Sequence, residues 1–236
     1  MTSASVSYIV PVYDGEAYLA EALDSIFAQT LPALEVLVVD DGSSDATPAV
    51  ARRYGRRITY LRQSHAGQSV ARNHGIRVAR GDLLAFLDAD DLVHPNRLVR
   101  QVARFEARPE LDVSQAFTRN FWSPEIPEAE RTRTPLERFT HSDVPFAESV
   151  GGWLVRRALF ERIGGFEEGR MFGEDVAWLD RARASGAVIE TMPVVLARRR
   201  LHHGNLTRRD AQGHLDGLAL LYRYRVEQQR SRREPW

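Results

Sequence analysis

The chain has 236 residues, of which 43% are hydrophobic and 27% charged, and its 32 basic side chains (Lys plus Arg) balance 32 acidic ones. That balance removes the net-charge argument for a nucleic-acid partner, and the lack of cysteine excludes disulfides and thiolate metal sites. No apolar run approaches the roughly 18 residues needed to span a bilayer, and the N-terminus lacks the basic flank and apolar core of a secretory leader, so a cytoplasmic protein of ordinary globular composition is expected.

Val6 to Val12 is apolar and β-branched and reads as a first strand. Tyr18, Leu19, Ala22, Ile26 and Phe27 follow at helical spacing. Leu34 to Val39 is a second strand running into Asp40-Asp41-Gly42, and Asp45 to Tyr54 suits a helix that Ser44 or Asp45 can cap. A short strand at Ile58 to Leu61, a helix at Ser69 to Ala79, a strand at Leu83 to Leu87 and a helix at Pro95 to Arg108 complete the first half. This alternation predicts an α/β fold with a parallel sheet covered by helices on both faces.

The second half is less regular. Val113 to Trp122 reads as a strand, and Ser123 to Pro145 as a long surface loop or lid. Gly151 to Arg156 is apolar, Arg157 to Ile163 is a short helix, and Asp175 to Ala184 is a longer one. Val188 to Leu196 is a last strand region in which Pro193 implies an edge or a break. Asp210 to Arg230 reads as a terminal helix with a modest stripe of Leu215, Leu218, Leu221 and Tyr222. Packing on the body or homodimerisation accounts for that stripe better than peripheral membrane contact. No repeat and no second core stand out, so residues 1–236 form one domain: 1–110, 111–208 and the terminal helix 209–236.

In sheets of this kind ligands bind beyond the carboxyl ends of the strands, and the polar clusters fall there. Asp88-Ala89-Asp90-Asp91 ends a buried run. Unpaired buried carboxylates cost several kcal/mol each. A hard divalent ion, held by one or two carboxylates and otherwise by water and phosphate, removes that cost. Alternation along an extended segment would turn Asp88 and Asp90 to the same side. A solvated helix cap explains an isolated Asp-x-Asp as well, but not one with companions at other strand ends.

Asp40 ends Val36 to Val39 and needs a partner, which a nucleobase or ribose would supply; Ser44 and Asp45 are equally well explained as caps. Gly67 to Gly75 is glycine-punctuated and carries Arg72, so Gly67 suits a backbone approach to phosphate and Arg72 an anion or base carbonyl. A capping Ser69 and a surface Arg72 fit that segment about as well. Glu174-Asp175 opens a helix. Its carboxylates either complement the helix dipole or supply a general base, and spacing leaves both open. His202 and His203 follow a dense run of Arg, where a metal or an anionic leaving group would be stabilised.

Taken in order, these motifs resemble the family 2 inverting glycosyltransferases of GT-A fold: Val10-Pro11-Val12-Tyr13-Asp14, Val38 to Asp45, Gly67 to Gly75, Phe86 to Asp91, Gly164-Gly165-Phe166 followed by Glu174-Asp175, and His202 to Thr207. The resemblance implies a Rossmann-like, mostly parallel sheet with a donor half and a smaller acceptor half. It implies that Pro11, Val12 and Asp14 line the base and ribose pocket, that Asp40 meets the nucleobase (uracil by preference) with Arg72 nearby, and that Gly67, Asp88 and Ala89 hold the rest of the nucleotide. Asp90 would coordinate Mg²⁺ or Mn²⁺ on the diphosphate, His202 or His203 would close over it, and Glu174 and Asp175 are the catalytic pair, with Asp175 the base. The polymerising signature Gln-x-x-Arg-Trp is replaced by Arg198-Arg199-Arg200-Leu201, which implies transfer of a single sugar. Tyr13-Asp14 stands where Tyr-Asn is more frequent. The competing readings are a non-catalytic nucleotide-sugar-binding partner of the same fold and a nucleotidyltransferase. Retention of Asp88, Asp90 and Asp175 disfavours the first, and Val12 to Glu16, which is not a basic glycine-rich loop, disfavours the second.

Overall fold

A computed structural model of the protein describes residues 4–131, 149–206 and 210. One sheet carries the strands β1 (Val6–Val12), β2 (Glu35–Asp40), β3 (Thr59–Arg62), β4 (Leu83–Phe86), β5 (Leu92–Val93), β6 (Val113–Trp122), β7 (Trp153–Arg156) and β8 (Ile189–Leu201). Their spatial order is β3-β2-β1-β4-β7-β6-β8-β5. The first four are mutually parallel, as the alternation predicts. β7 breaks the pattern by pairing antiparallel with both β4 and β6, while β6 and β8 run parallel.

The helices are α1 (Leu19–Phe27), α2 (Thr47–Arg52), α3 (Gln68–Val78), α4 (Arg97–Ala107), α5 (Arg157–Ile163) and α6 (Glu174–Ala184). Period-two alternation sorts the strand residues into two layers. Val6, Tyr8, Val10 and Val12 pack with Leu19, Leu23, Leu98 and Val102 on one face. Ile9, Leu37, Leu84 and Phe86 pack with Leu159, Phe160, Phe166 and Trp178 on the other. Gly75 lets α3 lie close on the second face, because a Cβ there would fall 2.5 Å from Ile9 Cγ2.

Pro193 marks a break rather than an edge. The β6–β8 register passes from Ala116 opposite Met192 to Phe117 opposite Val195, which leaves Pro193 and Val194 as a bulge. A residue without an N–H is tolerated at such a point. Beyond it β8 runs on to Leu201, past the expected limit at Leu196, and so carries the chain to His202.

Arg97 was visible in the sequence only as part of a helix. It is fully buried and donates from Nη1 to the Phe86 carbonyl (3.1 Å), from Nη2 to the Trp153 carbonyl (2.6 Å) and from Nε to Gln101 (3.0 Å). It thereby fixes the carboxyl end of β4 against β7. Among the described residues no helix is long and apolar enough to cross a membrane. Residues 132–145 of the expected lid and the expected terminal helix lie outside the described residues, apart from Asp210.

Candidate active site

The ends of β1 and β2 are tied together by side-chain-to-backbone bonds. Asp40 is fully buried; its Oδ1 accepts the Ser43 N–H (2.7 Å), and its other oxygen accepts the Tyr60 hydroxyl. Asp14 takes a left-handed conformation (φ 47°), which Asp tolerates better than most residues. Its carboxylate accepts the N–H groups of Ser44 (2.7 Å) and Asp45 (3.3 Å), and its own N–H donates to Ser43 Oγ (3.0 Å). The cap of α2 is therefore shared: Asp45 accepts the Thr47 N–H at 2.9 Å, and Glu16 accepts that of Ala46 at 2.7 Å. Pro11 and Val12 are buried within β1.

The sequence reading gave Asp41 no role. It is buried and accepts the N–H groups of Ala66 (2.9 Å) and Gly67 (2.8 Å) and the side chain of Gln63 (2.8 Å). These bonds shape the loop that enters α3, with Gly67 at φ 97°. Gly42 is needed for this approach: its φ is 83°, and a Cβ would lie 2.9 Å from the His65 nitrogen. The half-exposed Tyr13 ring rests 4.2 Å from the His65 ring, leaving an aromatic pair at the mouth of these strands.

At the end of β4 the carboxylates diverge, which corrects the expectation that Asp88 and Asp90 share one side. β4 stops at Phe86, and a turn closes with the Asp91 N–H donating to the Asp88 carbonyl, so strand alternation no longer applies. Ala89 lies in this turn. Asp88 Oδ1 accepts Arg72 Nη2 (2.7 Å) and Gln68 Nε2 (2.9 Å). Asp90 Oδ2 instead meets His202 Nε2 (2.9 Å) and Asn205 Nδ2 (3.2 Å). Asp91 is buried and accepts the Arg200 N–H (2.8 Å), bracing β8 against the turn. Burial, with Asp90 and Asp88 adding to it, pushes the Asp91 carboxyl well above the usual carboxylate range.

The His202 loop is organised by Asn205, a member of the late motif to which the sequence assigned no role of its own. Its Oδ1 accepts the His202 N–H (2.6 Å), while Nδ2 donates to Asp90 and to the Arg200 carbonyl (3.1 Å). The Tyr18 ring lies 4.5 Å from the His202 ring, and the Tyr18 hydroxyl donates to Glu125. His203 is exposed, with Glu130 4.0 Å away, so the two histidines are not equivalent.

Glu174 and Asp175 open α6 in different surroundings. Glu174 is buried, and its Oε1 pairs with Arg72 Nη1 at 2.6 Å. That pairing commits Glu174 to the link between α6 and α3. Asp175 keeps partial solvent contact while protein surrounds it densely, and its Oδ1 accepts the Val176 N–H (2.8 Å). Burial first, and then the Glu174 charge, push its carboxyl up to about 7, with Arg72 opposing. Such a value suits a general base working near neutrality.

Arg72 also departs from expectation. It is buried between Asp88 and Glu174 instead of waiting beside Asp40. Burial works against its charge, but the two carboxylates outweigh that and hold the guanidinium protonated more firmly than an ordinary Arg. The neighbouring Asn73 joins the same elements by exchanging two bonds with the Phe166 backbone (2.8 and 2.9 Å).

Among the described residues no three His, Asp or Glu side chains converge as a ready-made metal cage. The Asp90–His202 pair nonetheless fits an ion that takes only one or two protein ligands and completes its shell with water and phosphate oxygens.

Residues 7–164 match the family described as Glycosyl transferase family 2. An uncharacterized glycosyltransferase of Rickettsia typhi is 31% identical over 219 residues, covering 87% of this chain and 66% of the relative. The uncharacterized glycosyltransferase EpsJ of Bacillus subtilis is 35% identical over 184 residues, covering 72% of this chain and 53% of its own. The chain thus spans about half to two thirds of these two relatives. Among solved structures, TarS of S. aureus (residues 1–349) superposes with a TM-score of 0.66 at 23% identity, over 83% of this chain and 60% of that one. The same protein has been solved in complex with UDP-GlcNAc and with UDP. The likeness establishes the GT-A fold.

Proposed function

This chain belongs to glycosyl transferase family 2, and we propose that it is an inverting, non-processive glycosyltransferase that moves one sugar from a UDP-sugar to an acceptor hydroxyl. The observation that carries the reading is Asp175. It is a carboxylate raised to about 7 at the start of α6, joined through Glu174 and Arg72 to the carboxylate that ends β4. It would take the proton of the acceptor hydroxyl as the oxygen attacks the anomeric carbon, and the carbon–diphosphate bond would break on the opposite face. A single displacement of this kind inverts the anomeric centre.

The donor would lie across the ends of β1, β2 and β4. UDP is favoured because the UDP-sugar complex of TarS shares the fold. Tyr13 and His65 offer an aromatic surface for the base, while the Gly67 N–H is taken by Asp41. Asp88, 30% exposed, is the carboxylate open to a ribose hydroxyl. Asp90 and His202 would hold Mg²⁺ or Mn²⁺, which when bound supplies positive charge to the departing diphosphate. Asn205 and Tyr18 keep His202 turned toward Asp90.

The test is a panel of nucleotide sugars scored for nucleoside diphosphate release, with and without Mn²⁺, for the wild type and Asp175→Asn. Metal-dependent release from a UDP-sugar that Asp175→Asn abolishes while still binding UDP supports the reading. Binding without turnover of any donor would instead identify a non-catalytic nucleotide-sugar-binding protein, and pyrophosphate as product a nucleotidyltransferase.

A further inference from the structure

Arg72 has a placement that donor binding does not explain. Its Nη1 and Nη2 are each spent on a carboxylate, and its Nε is buried without a hydrogen-bond partner, so no face of the guanidinium is presented to a base or phosphate. The residue is only 2% exposed. Its two partners come from distant parts of the chain: Asp88 is 16 residues along and Glu174 is 102. One ends the donor strand β4, and the other directly precedes Asp175.

We propose that Arg72 is a positioning residue: by gripping Asp88 and Glu174 at once it fixes the N-terminus of α6, and with it Asp175, relative to the strand end that receives the donor. The roles of Asp88 and Asp175 in this inference rest on the reading above. The planar fork matters, because a guanidinium serves two carboxylates along fixed directions, whereas a lysine ammonium is a point charge without that geometry. Asn73, one residue on, binds both the N–H and the carbonyl of Phe166, so α3 holds the acceptor half at two adjacent points. A buried ion pair is by itself weak evidence for a stabilising role, which leaves geometric control as the reason for burying this one.

The grip has an electrostatic consequence at Asp175. The charged groups acting on that carboxyl are Glu174 on its own helix, Arg72 from α3 and Asp88 from the end of β4. Arg72 is the cation among them and opposes both burial and the two carboxylates. An inert strut would leave the titration of Asp175 untouched.

The experiment is a ¹³C-carboxyl NMR titration of aspartate-labelled full chain without donor, with the Asp175 resonance assigned by Asp175→Asn. Arg72→Gln is expected to move the Asp175 midpoint up by about one pH unit or more. Should Arg72→Gln fail to fold, Asp88→Asn serves instead: it removes a negative charge and leaves Arg72 to Glu174 alone, so the midpoint should fall. Arg72→Lys, which keeps the charge and loses the fork, should lower kcat about 10-fold or more with little change in donor KM. An unmoved midpoint in a folded Arg72→Gln or Asp88→Asn variant, or wild-type kcat in Arg72→Lys, would overturn the inference. The titration needs no donor, so a wild type that turns over no nucleotide sugar refutes the proposed function while the midpoint still scores the grip.

Discussion

A carboxyl kept raised by burial costs stability, and Asp175→Asn exposes that cost. The carboxyl sits at about 7 in the folded protein against an ordinary 3.8. Between those values the folded chain holds a proton that the unfolded chain has released. Stability therefore falls as pH rises through this window, and the cost is fully present above about pH 7. A difference of about three pH units corresponds to at most ~4 kcal/mol. Asn has the same shape, and its Oδ1 can accept the Val176 N–H that Asp175 accepts now. The variant should thus match the wild type near pH 4 and exceed it near pH 8 by up to ~4 kcal/mol, or roughly 2–4 °C in Tm per kcal/mol for a domain this size. Urea unfolding of both proteins at the two pH values measures the gap. A gap that does not widen with pH, or a variant less stable near pH 8, would refute the burial argument. The same substitution should slow transfer about 10²–10⁴-fold.

Further outcomes can be checked independently. With Asp175 as base, the kcat/KM profile should rise about tenfold per pH unit below a midpoint near 7 and level above it, measured by nucleoside diphosphate release across buffers. His202→Ala should weaken Mn²⁺-dependent UDP binding in calorimetry by about 10-fold or more; His203→Ala should leave it near wild type, and equal effects would contradict the placement of His202 beside Asp90. Asn205→Ala removes partners from the His202 N–H, the Arg200 carbonyl and Asp90, and should cost about 1–3 kcal/mol in urea. Gly165→Ala would set a Cβ 2.3 Å from Asn73 Oδ1; it should cost about 1–3 kcal/mol, and an unchanged urea midpoint would show that the Asn73–Phe166 pair yields freely.

The elements were legible where one local pattern sufficed. β1 and β6 and the helix at Arg157–Ile163 fall at the expected bounds, because an apolar run or a glycine stop is a property of neighbouring residues. The order of motifs likewise led to the family. What escaped was pairing at a distance. Nothing near residue 153 says that β7 must run antiparallel between β4 and β6, and Asp41, Arg97 and Asn205 have no assigned role until their partners arrive from elsewhere in the chain. The alternation rule failed at Asp88 and Asp90 for a physical reason: it holds only while the chain stays extended, and a turn intervenes after Phe86.

The sequence by itself determined that carboxylates end the buried strands and that a second acidic pair opens a late helix. It did so because burial and charge conflict locally and the conflict is written in adjacent residues. Only the tertiary structure decided which carboxylate is free and which is spent. Glu174 and Asp175 are neighbours in the chain, yet one is neutralised by Arg72 across 102 residues and the other is left raised to about 7. His202 and His203 differ in the same way, since Asp90 reaches the first and not the second. A carboxylate's reactivity depends on the charges and solvent around it, and those are set by the meeting of distant segments.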